Sequence, residues 1–401
     1  MKKTFLVFLV LLTVLCFAAG CGQKTPSDES GAVSTGPYQF RSDELANYVI
    51  VYSDENPDYF DLAYRLNEQI YTKYGKILNV IRSSNATPSQ YEILLGDTGR
   101  VMEYSVTVQD GKFRIHVGGS FSAEKAIDFL CQQVFNGQEF VLDSGEYYQT
   151  SFLTVSQEMT ENATARIMSA NILADAFADS SYKEAHYRAE IFAGMLVSYT
   201  PDVLGIQEAD ENWNNVLDMY LKKIQKSHGI TYERLLASYE NKVNYSSLLY
   251  RSDKFKAETS DLSVFSWWTN KAFNHNYHMR NVSWAQFSSL ENPDKTFIVA
   301  NTHWSYRTEH ANGKTCLFGS NTPIAVNELR TQCKDETNRI LSTLRQENPG
   351  VPIFLTGDFN IEPKNHALKD LDARMQSARK IAEKTDDHAT YNGWGKSSMM
   401  I

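Results

Sequence analysis

The residues whose types and spacing could do chemistry together are Asn171, Glu208, His303, Asp358 and Asn360, each at or just past the end of an apolar run. Glu208 closes Val203-Leu204-Gly205-Ile206-Gln207-Glu208, His303 closes Asn301-Thr302-His303, and the last two lie in Gly357-Asp358-Phe359-Asn360. An Asp and an Asn two apart on an extended segment point to the same side, so both can face one bound group. A lone strand-end Glu is ordinarily a solvated carboxylate; here the set is informative. Carboxylate and amide oxygens with one imidazole suit Mg²⁺, or Mn²⁺ in its place. No Cys or His pair has the spacing of a tetrahedral zinc site.

The elements that position these groups read as strands and helices in alternation. Arg166 to Ile172 alternates as a strand carrying Asn171 near its end, a helix spans Tyr182 to Ser198, and Pro201 to Glu208 is an apolar strand. Thr296 to His303 and Val351 to Asn360 repeat the pattern. Open α/β sheets keep their ligand crevice at the C-terminal ends of strands, where these polar groups fall.

In this order the motifs resemble the endonuclease/exonuclease/phosphatase superfamily, which includes DNase I-like nucleases, neutral sphingomyelinases and inositol polyphosphate 5-phosphatases. The resemblance covers about Ala165 to the end, with Ser247 to Arg251 and Arg280 to Ala285 similar to family strands and Thr390 to Trp394 to a loop near the substrate. It implies an α/β fold whose second domain is a four-layer sandwich, two packed β-sheets flanked by helices. It further implies that Glu208 and Asn171 serve the Mg²⁺ shell, that His303 bonds a non-bridging phosphate oxygen, and that Asp358 and Asn360 orient water and phosphate. The reaction expected is Mg²⁺-dependent phosphoester hydrolysis, foremost of a diester, by in-line attack of water. In the family a final strand leads to a Ser-Asp-His segment that supplies the general base. The sequence ends at Met399-Met400-Ile401, where that strand is expected to begin, so a fragment or truncated product of weak activity is expected. Asp387-His388 is read as a surface pair.

Ahead of this domain, Lys2 and Lys3 precede an apolar run from Phe5 to Ala19, the layout of a secretory signal over residues 1–20. The run ends Ala18-Ala19-Gly20-Cys21, which resembles a bacterial lipobox and makes Cys21 the expected lipidated N-terminus. An ordinary signal-peptidase site is the rival. Residues 21–46, rich in Gly, Ser, Thr and Pro through Pro37, read as a tether, which places the protein on a bacterial membrane or in the periplasm. Cys131, Cys316 and Cys333 then remain, too few for a disulfide-built fold, and a Cys316–Cys333 pair is not expected.

Residues 47–155 read as a small α/β domain. A strand at Tyr48–Tyr52 precedes a helix with Tyr59, Ala63, Leu66, Ile70 and Tyr74 on one face; strands follow at Ile77–Ile81, Tyr91–Leu95, Tyr104–Val108 and Phe113–Val117, then a helix at Ala123–Phe135. Glu92 to Arg100, Val117 to Ser120 and Ala126 to Leu130 resemble the non-catalytic domain that precedes the barrel in bacterial hexosaminidases and glucuronidases. Gly96-Asp97-Thr98-Gly99 lacks the Lys-Ser/Thr ending of a phosphate loop and reads as a turn. The polar stretch Ser156 to Thr164 marks the boundary with a domain at 165–401.

The 401 residues, 42% hydrophobic and 22% charged, exclude a disordered chain, a collagen and a multi-span membrane protein. With 39 Lys+Arg against 48 Asp+Glu, the net charge of −9 supplies no overall basic field for nucleic acid. Partners expected are a phosphoester substrate (a lipid headgroup or sugar phosphate ahead of nucleic acid) and the membrane through the anchor. Trp267-Trp268 and Trp304 read as core, and Lys222, Lys223 and Lys226 as a solvated helix face. The rival reading is a non-enzymatic surface lipoprotein that acts as a binding module.

Overall fold

The computed structural model describes residues 37–40, 44–54, 58–89, 91–109, 112–130, 132, 140–143, 147–151, 165–175, 185–266, 280–305, 314–316, 323–362, 365–372 and 375–382. The signal, Cys21, the Ser156–Thr164 boundary, Trp267-Trp268, Asp387-His388 and the Thr390–Trp394 loop lie outside these residues. Among the described residues no helix is long and apolar enough to cross a membrane.

In the first half, β1 (Val49–Tyr52), β2 (Asn79–Arg82), β3 (Glu92–Asp97), β4 (Glu103–Gln109), β5 (Lys112–Val117) and β6 (Tyr147–Ser151) form one six-stranded sheet in the order β2-β1-β3-β5-β4-β6. Helix α1 (Asp58–Tyr74) buries Tyr59, Ala63, Leu66 and Ile70 against it, the face that the helical spacing predicts. β2 starts two residues later than expected, because both backbone groups of Leu78 bond to the Asn67 side chain (2.8 Å each) and leave the ladder. Helix α2 (Ser120–Phe129) starts earlier than expected, because Ser122 Oγ accepts the Gly118 and Gly119 amides at 2.8 and 3.0 Å. Gly96 and Asp97 end β3, and the chain bends after them, where Asp97 Oδ1 accepts the Gly99 amide at 2.6 Å.

The second half is built as four layers. β7 (Ile167–Asn171), β8 (Val203–Gln207), β9 (Tyr232–Leu235) and β10 (Leu248–Arg251) form a four-stranded sheet, order β9-β10-β8-β7. β11 (Phe255–Val264), β12 (Asn281–Ser289), β13 (Thr296–His303) and β14 (Ile353–Asp358) form another, in chain order. Helices α3 (Ala185–Tyr199) and α4 (Glu211–His228) cover the outer face of the first sheet through Phe192, Leu196, Leu217 and Ile224. Helices α5 (Val326–Glu347) and α6 (His366–Asp372) cover the second through Leu341, Leu344 and Leu371. Strand alternation sorts β13: Ile298 and Ala300 face the helices, whereas Phe297 and Val299 join Val203, Leu248 and Phe287 between the sheets. This is the mixed α/β sandwich of a DNase I-like domain. Trp304 is core, with its Nε1 donating to Thr337 Oγ1 at 3.2 Å. Cys333 is a free buried thiol, which burial pushes up to about 11.

The sheets meet through a buried amide. Asn301 Nδ2 donates to the Ile206 and Ser247 carbonyls at 2.9 Å each, and its Oδ1 accepts from Gln207 Nε2 at 2.7 Å. Gly205 permits this approach, since an added Cβ would lie 2.5 Å from Asn301 Oδ1 and closer still to Thr356 Oγ1.

The two halves are joined through α3 and α4. Glu190, fully buried, accepts the Met102 amide at 2.9 Å and the Phe121 and Ser122 amides at 2.8 and 3.0 Å, so it caps α2 from the other half of the chain. Burial pushes its carboxyl up, and the three amides work in the opposite direction. Lys223 is no solvated helix residue: its Nζ donates to Asp97 Oδ2 at 2.8 Å and to the Gly118 carbonyl at 2.6 Å.

Two substitutions test these joints. Gly205→Ala forces the sheets apart and is expected to cost about 1–3 kcal/mol; an unchanged denaturation midpoint would show that the approach is not tight. Glu190→Ala leaves buried amides without an acceptor and is expected to cost about 2–3 kcal/mol, measured as a drop in the melting temperature; a wild-type value contradicts it.

Candidate metal and phosphoester site

Register brings the candidate residues to one edge. In the parallel pair β7/β8, Asn171 lies opposite Gln207, the last residue before Glu208; in the parallel pair β13/β14, His303 lies opposite Asp358. Both pairs therefore deliver their polar ends to the same rim of the sandwich, where β14 packs across β7.

At that rim Asn171 is the hub. Its Nδ2 donates to Glu208 Oε1 at 2.8 Å and to Asp358 Oδ2 at 2.9 Å, while its Oδ1 accepts the Leu173 amide at 3.0 Å. Those bonds fix which end of the amide carries nitrogen, because only NH₂ can donate to two carboxylates. Glu208 Oε2 accepts the Ala174 amide at 3.0 Å. The His303 ring lies with Nε2 at 3.8 Å from Glu208 Oε1 and 3.9 Å from Asp358 Oδ2. The imidazole is the most enclosed member, its side chain 4% exposed against 15% for Glu208 and 26% for Asp358. Arg280 Nη1 donates to the His303 carbonyl at 3.0 Å and anchors that strand end.

The backbone at the rim departs from extended geometry. Glu208 has φ 68°, Leu173 φ 57° and Asn360 φ 52°, left-handed conformations that carry a strain of about 1 kcal/mol for residues other than glycine. The expectation that Asp358 and Asn360 share a strand face needs correction here: the strand ends at Asp358, and Asn360 lies beyond it in the left-handed region. Its amide N–H donates to Asp358 Oδ1 at 2.8 Å and its side-chain Nδ2 to the Trp304 carbonyl at 2.9 Å, so Asn360 orients Asp358 through its backbone. Asn171, Glu208, His303 and Asp358 are brought together; the Asn360 side chain is turned to the β13 end.

Residues that the sequence did not single out frame the cluster. The Tyr245 carbonyl accepts the Glu208 amide at 2.8 Å, and burial, with the charges of Asp210 and Glu208 adding, pushes the Tyr245 phenol up to about 12. Arg188, Asp175 and Trp213 hold the loop after β7. No local pattern marks them, since their partners lie on other elements.

The donor set fits a hard divalent cation. Glu208, His303 and Asp358 offer ligand atoms that lie within 4.8 Å of one another. Glu208 and Asp358 would hold the ion, and His303 Nε2, 3.8 and 3.9 Å from their oxygens, would stand beside it, facing a group bound to the ion. Two carboxylates that share one amide donor also leave unbalanced negative charge, which a cation would offset.

The profile of the Endonuclease/Exonuclease/phosphatase family matches residues 168–398, more than half of the chain, and includes every member of this cluster. The chain belongs to that family. The Endonuclease/Exonuclease/phosphatase family consists of hydrolases that act on phosphoesters. Similar solved structures include an endonuclease/exonuclease/phosphatase from Bacteroides vulgatus (21% identity, 52% of this chain and 70% of that one, TM-score 0.39). A mannosyl-6-phosphatase from Bacteroides thetaiotaomicron (17%, 53% and 71%, 0.38) and the human Nocturnin catalytic domain (18%, 52% and 69%, 0.37) are also similar. No curated protein matches. At these identities and TM-scores the similar structures do not bear on substrate.

Asn171→Asp would place a third carboxylate against Glu208 and Asp358. In a chelator the variant is expected to lose about 1–3 kcal/mol and to regain most of it when millimolar Mg²⁺ or Mn²⁺ is added. A melting temperature equal to wild type in the chelator would show that the carboxylates do not feel one another.

Proposed function

We propose that the protein is a divalent-metal-dependent phosphodiesterase that hydrolyses an extracellular phosphoester, with Mg²⁺ as the resident ion and Mn²⁺ able to replace it. The observation that carries the reading is the convergence of Asn171, Glu208, His303 and Asp358 from strands of both sheets onto one rim. A phosphodiester resists water because its anionic oxygens repel nucleophiles. A divalent ion held by Glu208, with Asp358 beside it, would withdraw that charge and stabilise the transition state.

The chain's own groups do the rest. His303, deep in the rim, donates from Nε2 to a non-bridging oxygen. Asn171 keeps the two carboxylates at a fixed separation, and its neighbour Ala174 holds the second oxygen of Glu208. Asp358 accepts a hydrogen bond from the attacking water and so aims it at phosphorus opposite the leaving oxygen. Water oxygen forms the new P–O bond as the bond from phosphorus to the ester oxygen breaks; the proton of water passes to solvent, the departing oxygen takes one from solvent, and no covalent intermediate with the protein is formed. Asn360 acts at one remove, as the amide that sets the Asp358 rotamer.

Net acidity and the lipobox-like Ala18–Cys21 favour a lipid headgroup or sugar phosphate near a membrane over duplex nucleic acid. The membrane anchor at Cys21 is part of this proposal and is checked by the mass of the mature N-terminal peptide. Activity is tested on bis(p-nitrophenyl) phosphate and p-nitrophenyl phosphate side by side, with Mg²⁺ and with EDTA. The diester is expected to react faster, chelation to abolish turnover, and Glu208→Ala to lower the rate at least about 100-fold. Equal rates for Glu208→Ala and wild type would sink the enzymatic reading in favour of a binding module.

A further inference from the structure

The loop that follows β7 is held in place by groups with no part in the cluster itself. Leu173, left-handed at φ 57°, sits between Asn171, whose Oδ1 accepts the Leu173 amide, and Ala174, whose amide reaches Glu208. With a normal φ at Leu173 these two amides would not both point inward, so the orientation of the Asn171 and Glu208 side chains depends on one strained residue. A leucine has no intrinsic preference for that conformation. Something must hold it.

What holds it is on helices α3 and α4. Arg188 Nη1 donates to the Ile172 carbonyl at 2.6 Å and to the Leu173 carbonyl at 2.5 Å. Trp213 Nε1 donates to the same Leu173 carbonyl at 2.7 Å, from a ring that is 1% exposed. The guanidinium lies 5.0 Å from the centre of the Trp213 ring, and its Nη2 meets Asp175 Oδ1 at 3.3 Å. Asp175 is itself fixed: Oδ1 accepts the Ala185 amide at 2.8 Å and Oδ2 accepts Asn212 Nδ2 at 3.2 Å. A planar fork donor stacked on an indole presents its donors to two carbonyls and a carboxylate in fixed directions; an ammonium is a point charge without that fork.

We propose that Arg188 is a positioning residue for the site: with Trp213 and Asp175 it locks Leu173 left-handed, and that lock holds Asn171 against the two carboxylates and fixes Glu208 for the cation. The functional part of this inference rests on the reading of the rim as a cation-dependent phosphoesterase centre; the structural part does not. Partners that orient metal ligands typically change affinity or activity by about 10- to 100-fold when removed. The effect of Arg188 should fall in that range, on cation binding and on kcat, with less change in KM because the guanidinium does not face the substrate.

The experiment compares wild type, Arg188→Ala, Arg188→Lys, Asp175→Asn and Glu208→Ala in the full chain. Mn²⁺ affinity is measured by electron paramagnetic resonance titration, and hydrogen exchange is followed at the amides of Leu173 and Ala174. Arg188→Ala is expected to weaken Mn²⁺ binding about 10- to 100-fold and to speed exchange at those amides while β5 stays protected. Arg188→Lys should fall between it and wild type, and added guanidinium should recover part of the loss in Arg188→Ala. If Arg188→Ala does not fold, Arg188→Lys and Asp175→Asn carry the same comparison.

Wild-type Mn²⁺ affinity and exchange in the Arg188 variants would overturn the inference and leave the phosphoesterase reading standing on Glu208→Ala. Faster exchange at Leu173 and Ala174 with no Mn²⁺ binding even in wild type would support the lock and overturn the cation reading. Loss of stability alone, with affinity unchanged, would also overturn the inference, because it would make Arg188 a fold residue only.

Discussion

The second half of the chain depends on buried amides between its sheets, Asn301 with Gln207 at the centre and Asn244 with Asn281 beside them. Asn301 occupies a strand position that alternation assigns to the apolar interior, yet its donors go to Ile206 and Ser247 carbonyls on the opposite sheet and its oxygen takes Gln207 Nε2. A buried amide must find all these partners or cost free energy, so it tolerates one offset between the sheets and penalises the others. Gly205 lets the sheets close to that offset. Apolar side chains alone would allow the sheets to slide by fractions of a residue; the amide does not. Because Asn171 and Glu208 ride on one sheet while His303 and Asp358 ride on the other, the offset also sets the distances at the rim.

Around that fixed frame the rim is made of short departures from regular structure. The strands carry each functional residue to the edge, and left-handed residues at Leu173, Glu208 and Asn360 then turn the chain so that amides and side chains converge. Regular strands would spread the same groups along the edge. Strain of this kind persists where neighbouring contacts over-determine it. Here Arg188 and Trp213 on two helices, and Tyr245 and the Trp304 carbonyl in two loops, supply those contacts.

Much of this was legible in the sequence for a physical reason: a strand buried on one or both faces is an apolar run, and a polar group at its end stands out. Hence β8, β13 and β14 and the positions of Glu208, His303 and Asp358 could be read directly, as could the Tyr59 to Ile70 face of α1. The pattern loses its force where the backbone leaves the extended state, and Asn360 shows this, since two-residue alternation holds only within a strand. Helix α2 begins earlier than its apolar face suggests because its first turn is capped by Ser122 and by the distant carboxyl of Glu190. Lys223, one of several lysines on an exposed-looking helix, was no different from Lys222 in sequence; its partners Asp97 and Gly118 lie more than a hundred residues away. Long-range pairing of this kind leaves no local trace.

The cap on α2 has another side. Gly118-Gly119 followed by a helix is the arrangement by which many proteins cradle a free anion, with unpaired amides and a helix dipole directed at one point. Here Ser122 Oγ takes the two glycine amides, and the helix amides of Phe121 and Ser122 hold the carboxyl of Glu190, tethered in the same chain. The first half of the chain therefore treats the second as a permanent ligand. A linker loosened or lengthened between them would weaken that ligand only slowly, whereas a chain cut in two would open the cradle to carboxylates and phosphates from solution, and turn a joint into a receptor.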